Sequence, residues 1–195
     1  MEESPAAPDV RLLTEKLGDL PQPVARPAFV VMAGLPGTGK TYFARKLVER
    51  LPAIVLESDA LRKVLFKRPA YSPEESARLF RAIHALIEML LSNGISVFLD
   101  ATNLAEFFRQ KLYGIAGRLR ARLVLVWVEA PPELVYERLR WRSETAYPES
   151  ASQADWLVYQ KLRPTVQKIR RKHHVVDTSK DITPVLEKIL KEVNR

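Results

Sequence analysis

Cysteine is absent from the 195 residues. That excludes disulfides, thiolate nucleophiles and cysteine metal sites, and it fits a reducing compartment. Histidine is scarce, with three residues; His173 and His174 are expected to lack a carboxylate partner and show no zinc-site spacing. No apolar run approaches the roughly 18 residues that a membrane-spanning helix needs, so no membrane partner is expected. Residues 1–27 open with Glu2 and Glu3 and hold no apolar core, so a signal peptide is not expected and a cytoplasmic setting is. Glycine is sparse at seven residues, yet three of them, Gly34, Gly37 and Gly39, share six consecutive positions.

The remainder reads as a folded domain, since 47% hydrophobic and 28% charged residues suffice for one α/β core. The net charge of +8 is unevenly placed. Residues 1–108 carry 13 basic and 13 acidic side chains, and residues 109–195 carry 18 and 10. A basic half suits a polyanionic partner such as nucleic acid. Cations that solvate helix faces or bind nucleotide phosphates would give the same count.

Five of the 14 prolines lie in residues 1–27, which read as a tail with room for a short helix over 10–20. A single domain over 28–195 follows. Residues 28–33 (AFVVMA) are apolar on both faces, as a central parallel strand should be. A helix then runs to about Leu51 and stops before Pro52. Residues 53–56 form a second strand. Ser72-Pro73-Glu74-Glu75 combines an N-cap, a first-turn proline and a capping-box glutamate, and Asn93-Gly94 ends that helix. Strands over 95–99, 123–128 and 175–176 alternate with helices over 106–118, from Pro132 and from Thr183, where Thr183-Pro184 supplies the cap. The alternation predicts a parallel sheet covered on both sides, a three-layer α/β/α domain.

Gly34-Leu35-Pro36-Gly37-Thr38-Gly39-Lys40-Thr41 satisfies G-x-x-x-x-G-K-[ST] between a buried strand and a helix. Backbone N–H groups reach phosphate only where no Cβ intrudes, and the helix N-terminus adds free donors. The pattern assigns ATP to residues 34–42, Tyr42 included, with Lys40 on the β- and γ-phosphates and Thr41 on Mg²⁺. At the end of the second strand, Asp59 faces the γ-phosphate as a candidate general base, and Arg62 lies one turn on, suited to an acceptor's phosphate or carboxylate. A plain N-cap is the alternative for Asp59. Asp100 ends the third strand as a second Mg²⁺ ligand, with Thr102 and Asn103 as acceptor contacts. Arg138 and Arg142 share one helix face, and with the polar stretch that follows they form a candidate lid over 138–154. Trp141, Tyr147 and Trp156 flank it and suit either base stacking or helix packing. His84 lies beside an apolar helix stripe, which favours packing.

GLPGTGKT at 34–41, S-D-x-x-R at 58–62, D-A-T-N at 100–103 and the Arg138/Arg142 pair, in that order, resemble the AAA_33-type P-loop kinases of the polynucleotide 5′-hydroxyl kinase and zeta-toxin-like group. The resemblance runs from about Phe29 to Leu190. It implies a nucleoside-kinase-like fold with a five-stranded parallel sheet, and ATP and Mg²⁺ as cofactors. It also implies Asp59 as general base, Arg62 on the phosphate next to the acceptor hydroxyl, lid arginines on ATP phosphates and Thr178-Ser179-Lys180 along the adenine. The layout is also similar to chloramphenicol phosphotransferases and seryl-tRNA kinases, and the 195 residues hold no phosphatase or ligase domain. The leading acceptor is thus a 5′-hydroxyl of RNA or DNA. A small sugar, nucleoside or antibiotic comes next, and a nucleotide-dependent switch with no acceptor stands third.

Overall fold

The structure, a computed structural model, describes residues 6–145 and 154–194. Five strands form one parallel sheet: β1 (Ala28–Ala33), β2 (Ile54–Glu57), β3 (Val97–Asp100), β4 (Arg122–Glu129) and β5 (His174–Asp177). Their spatial order is β2-β3-β1-β4-β5. β1 is central and buried at every residue, which is why its sequence is apolar without alternation. Phe29, Val31 and Ala33 join one core, and Val30 and Met32 join the other.

Helices α4 (Pro73–Ser92) and α5 (Glu106–Arg118) cover the first face, and α2 (Lys40–Val48) and α8 (Thr183–Val193) cover the second. α4 begins where the Ser72 hydroxyl accepts the Glu75 N–H at 3.2 Å, and it ends at Gly94, whose φ of 75° suits a residue without Cβ. Leu79, Ile83, Leu86, Ile87 and Leu90 are its buried stripe, each stabilising by about 1.5–3 kcal/mol. α8 differs from expectation at its start: the Asp181 carboxylate, not Thr183, takes the orphan N–H, at 2.9 Å. α2 stops at Val48, three residues early.

The proline-rich opening stretch also departs from the tail reading. Its helix, α1 (Ala7–Thr14), starts earlier than residue 10 and buries Leu13 completely. Asp9 holds it to α4, accepting from Arg78 at 2.8 and 2.6 Å. Proline density describes local preference, whereas this docking depends on an ion pair 69 residues apart.

Because every strand is parallel, the carboxyl ends of β1, β2 and β3 open on one edge. Asp100 is level with Met32 on one side and Glu57 on the other. Among the described residues, three non-glycines hold positive φ: Tyr71 (55°), Asn103 (43°) and Arg120 (52°). Each such residue costs roughly 1–2 kcal/mol. Tyr71 and Asn103 sit at this carboxyl edge.

Candidate active site

β1 runs straight into the glycine-rich loop. Gly34 donates its N–H to Thr102 O at 3.0 Å, and a Cβ on it would lie 2.2 Å from the Val128 carbonyl oxygen. Only glycine lets the loop pass between β4 and the turn after β3. Gly39, at φ 93°, opens α2. Thr38 is buried and donates to Leu35 O at 2.8 Å; Lys40 Nζ donates to the same carbonyl at 3.0 Å. Burial pushes the Lys40 ammonium below its ordinary value, with Asp100 and Asp59 pulling it back up and Arg142 adding to the fall. Thr41 Oγ1 donates to Asp100 Oδ2 at 2.5 Å. Tyr42 stands exposed on α2.

Asp100 is buried, and its carboxyl is raised mainly by that burial, while Lys40 and Thr41 oppose the shift. Glu57 is also raised, by burial first and then by Asp100, with Arg45 opposing. Asp59 acts on both carboxyls and on Lys40 and Arg142. Glu57, Asp59 and Asp100 therefore share one electrostatic neighbourhood with Lys40, Arg45 and Arg142. Glu57 was not singled out by sequence, although it lies two residues before Asp59. The capping alternative for Asp59 does not hold: in α3 (Ser58–Leu65) the N-cap is Glu57, with no side-chain cap bond, and Asp59 is the second helical residue.

Arg62 is 6% exposed and poorly satisfied. Nη2 donates to Ser76 Oγ at 3.2 Å, Nη1 lies 3.6 Å from Glu75 Oε2 and the Tyr71 ring covers the guanidinium at 4.7 Å. Nε and Nη1 have no hydrogen-bond partner. The Glu75 carboxylate is occupied elsewhere, taking the N–H groups of Ala70 and Tyr71 at 2.8–3.1 Å and so holding Tyr71 in its left-handed conformation.

The D-A-T-N turn divides. Asp100 faces Thr41, but Asn103 turns its amide to Met32 O at 2.7 Å, tying the turn to β1 rather than presenting it to an acceptor. Thr102 contributes its carbonyl to Gly34. Sequence reading missed Arg109, which is fully buried on α5. Its Nη1 donates to the carbonyls of Asn103 (2.7 Å) and Leu104 (2.8 Å), and its Nη2 to those of Gln167 (2.7 Å) and Lys168 (3.2 Å). Nε reaches Glu106 at 2.8 Å.

α6 (Pro132–Thr145) carries both proposed lid arginines, and residues 146–153 of the proposed lid, Tyr147 among them, lie outside the described residues. The helix is anchored up to Leu139: Val135 and Leu139 are buried, and a Cβ on Gly37 would meet each at 2.9 Å. Arg138 is bound within the loop region, donating to Thr178 Oγ1 (2.8 Å), Thr178 O (3.1 Å) and Gly37 O (3.4 Å). Thr178 Oγ1 in turn donates to Thr38 O at 2.7 Å, a bridge across 140 residues. Arg142 donates to Ala154 O and lies within the field of Asp59. Trp156 opens α7 (Trp156–Leu162), stacks on Tyr159 at 4.7 Å and meets Tyr136 edge-on at 5.2 Å, so of the two roles it packs helices. Trp141 is 53% exposed. His84 is half-buried on α4, with its imidazolium disfavoured by that burial and by Lys111. His174 does have a carboxylate partner, Glu192 at 2.9 Å. Among the described residues no group of three or more Asp, Glu, His or Cys stands ready for a metal ion, and no helix is long and apolar enough to cross a membrane.

The AAA domain family AAA_33 matches residues 29–180. An L-seryl-tRNA(Sec) kinase of Methanococcus maripaludis is 27% identical over 114 residues, 56% of this chain and 44% of that protein. An adenylyl-sulfate kinase of Picosynechococcus sp. is 31% identical over 109 residues, 53% of this chain and 59% of that protein. The chain thus spans about half the length of the curated relatives it matches. Among solved structures, Chaetomium thermophilum Kti12 in complex with ADP-AlF3 superposes with a TM-score of 0.68 at 22% identity, over 85% of this chain and 98% of that one.

Proposed function

The chain belongs to the AAA domain family AAA_33 and has a P-loop kinase fold, and we propose on that premise that it transfers the γ-phosphoryl group of ATP to a hydroxyl on a small acceptor that carries an anionic group. The observation that carries the acceptor class is Arg62, a buried cation with two nitrogens lacking hydrogen-bond partners, one helical turn from Asp59. A buried guanidinium is costly unless an anion completes it. Its enclosure by Tyr71, Glu75 and Ser76 favours a compact acceptor over a polymer strand. One relative is named for adenylyl sulfate, itself anionic, and the other for a seryl group on tRNA.

In this reading the loop N–H groups and Lys40 bind the nucleotide's phosphates. The Thr41 hydroxyl and Asp100 carboxylate meet at 2.5 Å, an all-oxygen pair that would hold Mg²⁺ beside the nucleotide's phosphates. The ion would supply charge neutralisation on those phosphates. Asp59 accepts the acceptor's proton as the acceptor oxygen bonds to phosphorus and ADP leaves. Arg62 fixes the acceptor through its anion. Arg142, within the field of Asp59, faces the charge that develops on transfer.

The test is a γ-labelled ATP transfer screen over paired acceptors: nucleosides and their 3′-phosphates, sugars and sugar acids, adenylyl sulfate and 5′-hydroxyl oligonucleotides. Acceptors with a phosphate, sulfate or carboxylate near the hydroxyl should exceed their neutral partners at least tenfold in kcat/KM. Equal rates across each pair would remove the anionic class. Transfer to oligonucleotides above all small acceptors would restore the polynucleotide reading. A folded Lys40→Ala variant that transfers at the wild-type rate would sink the kinase reading altogether.

A further inference from the structure

The excess positive charge of residues 109–195 collects in part at the edge opposite the transfer site. β1, β4 and β5 start there, and α5 ends there. Arg118, Arg120 and Arg122 belong to the turn from α5 into β4, Arg171 and Lys172 to the segment entering β5, and Arg26 to the entry of β1. The first and second groups are about 50 residues apart in sequence, and the fold makes them neighbours.

They line a groove. A cleft of about 720 Å³ is walled by Arg26, Arg120 and Arg171 over Tyr113 and Leu123, and a second of about 430 Å³ by Arg171 and Lys172 over Leu123 and Leu125. The two share Leu123 and Arg171 and so lie side by side along the start of β4. The groove exists because β5 pairs with β4 only from Val126 onward, which leaves the start of β4 without a strand on that side. Glu192 is the one carboxylate in either lining; it lies 3.6 Å from Lys172. Arg118 pairs with Glu88. Arg26, Arg120, Arg122 and Arg171 have no carboxylate at ion-pair distance among the described residues, and Arg171 lies instead over the Tyr113 ring at 4.4 Å.

Arg120 is the second observation. It occupies, at φ 52°, the left-handed position after a helix C-terminus, where Gly117 and Ala116 carbonyls accept the N–H groups of Arg120 and Ala121. Glycine or asparagine is the ordinary residue at that place. A guanidinium kept there against conformational preference is a reason to look for a role outside the fold.

We propose that this groove binds a nucleic-acid backbone, independently of the phosphoryl-transfer reading. Arginine predominates over lysine, which suits forked bonds to phosphate oxygens. The concave, elongated shape suits a strand, whereas a membrane surface would ask for a flat or convex face with apolar side chains at its centre. Trp127, level with Ala33 before the phosphate loop, is five residues along β4 from Arg122, so the groove lies about 16–17 Å from the strand ends that lead into the transfer site.

The experiment is fluorescence anisotropy of labelled single-stranded and duplex oligonucleotides with the full chain, from about 50 mM salt upward. Binding should appear at low salt with the steep log–log slope of counterion release. Arg26→Gln/Arg120→Gln/Lys172→Gln together should weaken it tenfold or more and flatten the single-strand slope by about two. Melting temperature and binding of a fluorescent ATP analogue should not change. Arg120→Gly separates binding from folding: it should weaken oligonucleotide binding while raising the melting temperature, since glycine suits that φ. Absence of binding at low salt, binding undiminished in the triple variant, or displacement of the oligonucleotide by ATP would overturn the proposal. Binding to phosphatidylserine vesicles but not to oligonucleotides, lost in the same variant, would overturn it in favour of a membrane.

Discussion

Two arginines are buried within the first half of this fold's active edge, and they are opposites. Arg109 is fully enclosed and gives every nitrogen a partner: four carbonyls and the Glu106 carboxylate. Arg62 is nearly as buried and makes one hydrogen bond, at 3.2 Å. A satisfied buried cation is a tie between segments, here between the turn after β3 and residues 167–168. Arg62, beside its ion pair with Glu75 at 3.6 Å, leaves two nitrogens without a hydrogen bond, which the proposed anionic acceptor would supply. Burial alone would have ranked the two alike; the count of partners tells structure from recognition.

That contrast breaks most easily at Arg109. Arg109→Ala should destabilise the chain by about 3–5 kcal/mol, because it leaves Glu106 and four carbonyls without their donor. Thermal or denaturant unfolding measures it, and a loss under about 1 kcal/mol would end the distinction. Asp59→Asn should then cost about 100-fold or more in kcat with unchanged melting and unchanged ATP affinity. If ATP affinity collapses and saturated turnover survives, Asp59 serves the nucleotide rather than the acceptor.

Arg62→Ala sharpens the contrast from the other side. It should erase about 1.5–3 kcal/mol of preference for an anionic acceptor over its neutral partner, with stability changed far less than for Arg109→Ala. Equal unfolding losses at the two positions would mean that Arg62 is a tie as well. The smallest effect belongs to the ion pair that docks α1 on α4. The Arg78 hydrogen bonds hold the Asp9 carboxyl below its ordinary value. A depressed folded value means the stabilisation is present above the usual carboxylate range and fades as pH falls through the lowered value. Asp9→Asn should cost about 1 kcal/mol at neutral pH, since Arg78 is half-exposed. That deficit should vanish in strong acid, which unfolding at pH 7 and near pH 2 would compare.

The local parts of this architecture were legible in sequence. β1 and α5 begin and end where periodicity and punctuation place them, and the loop at 34–41 is a contiguous motif whose glycines have one geometric purpose. Asp59, Asp100 and Arg62 were singled out because Asp100 ends β3 and the other two lie in the helix that follows β2. What escaped depends on distant pairing. Nothing near Arg109 in sequence announces Gln167, 58 residues away, and nothing near Thr178 announces Thr38. The bond from the Asn103 amide to Met32 was not legible either, because a motif gives residue type and not the direction of a side chain. The charge count located an excess without its place, since the turn at 118–122 and the segment at 171–172 meet only in the folded sheet.

The Thr178 hydroxyl has a consequence for coupling. It owns a single proton, spent on the Thr38 carbonyl, and it accepts from Arg138, which is donor-only. The hydroxyl is thus a joint between three places: Arg138 of α6 on one lone pair, the Thr38 carbonyl on its proton, and the Glu129 carbonyl 3.4 Å away as a second acceptor. Coupling through such a joint is reciprocal: if nucleotide shifts Arg138, then a change in the Thr38 contact must alter nucleotide affinity by an equal free energy. Thr178→Val keeps the shape and removes the joint, so loop and helix should respond to nucleotide as two parts instead of one.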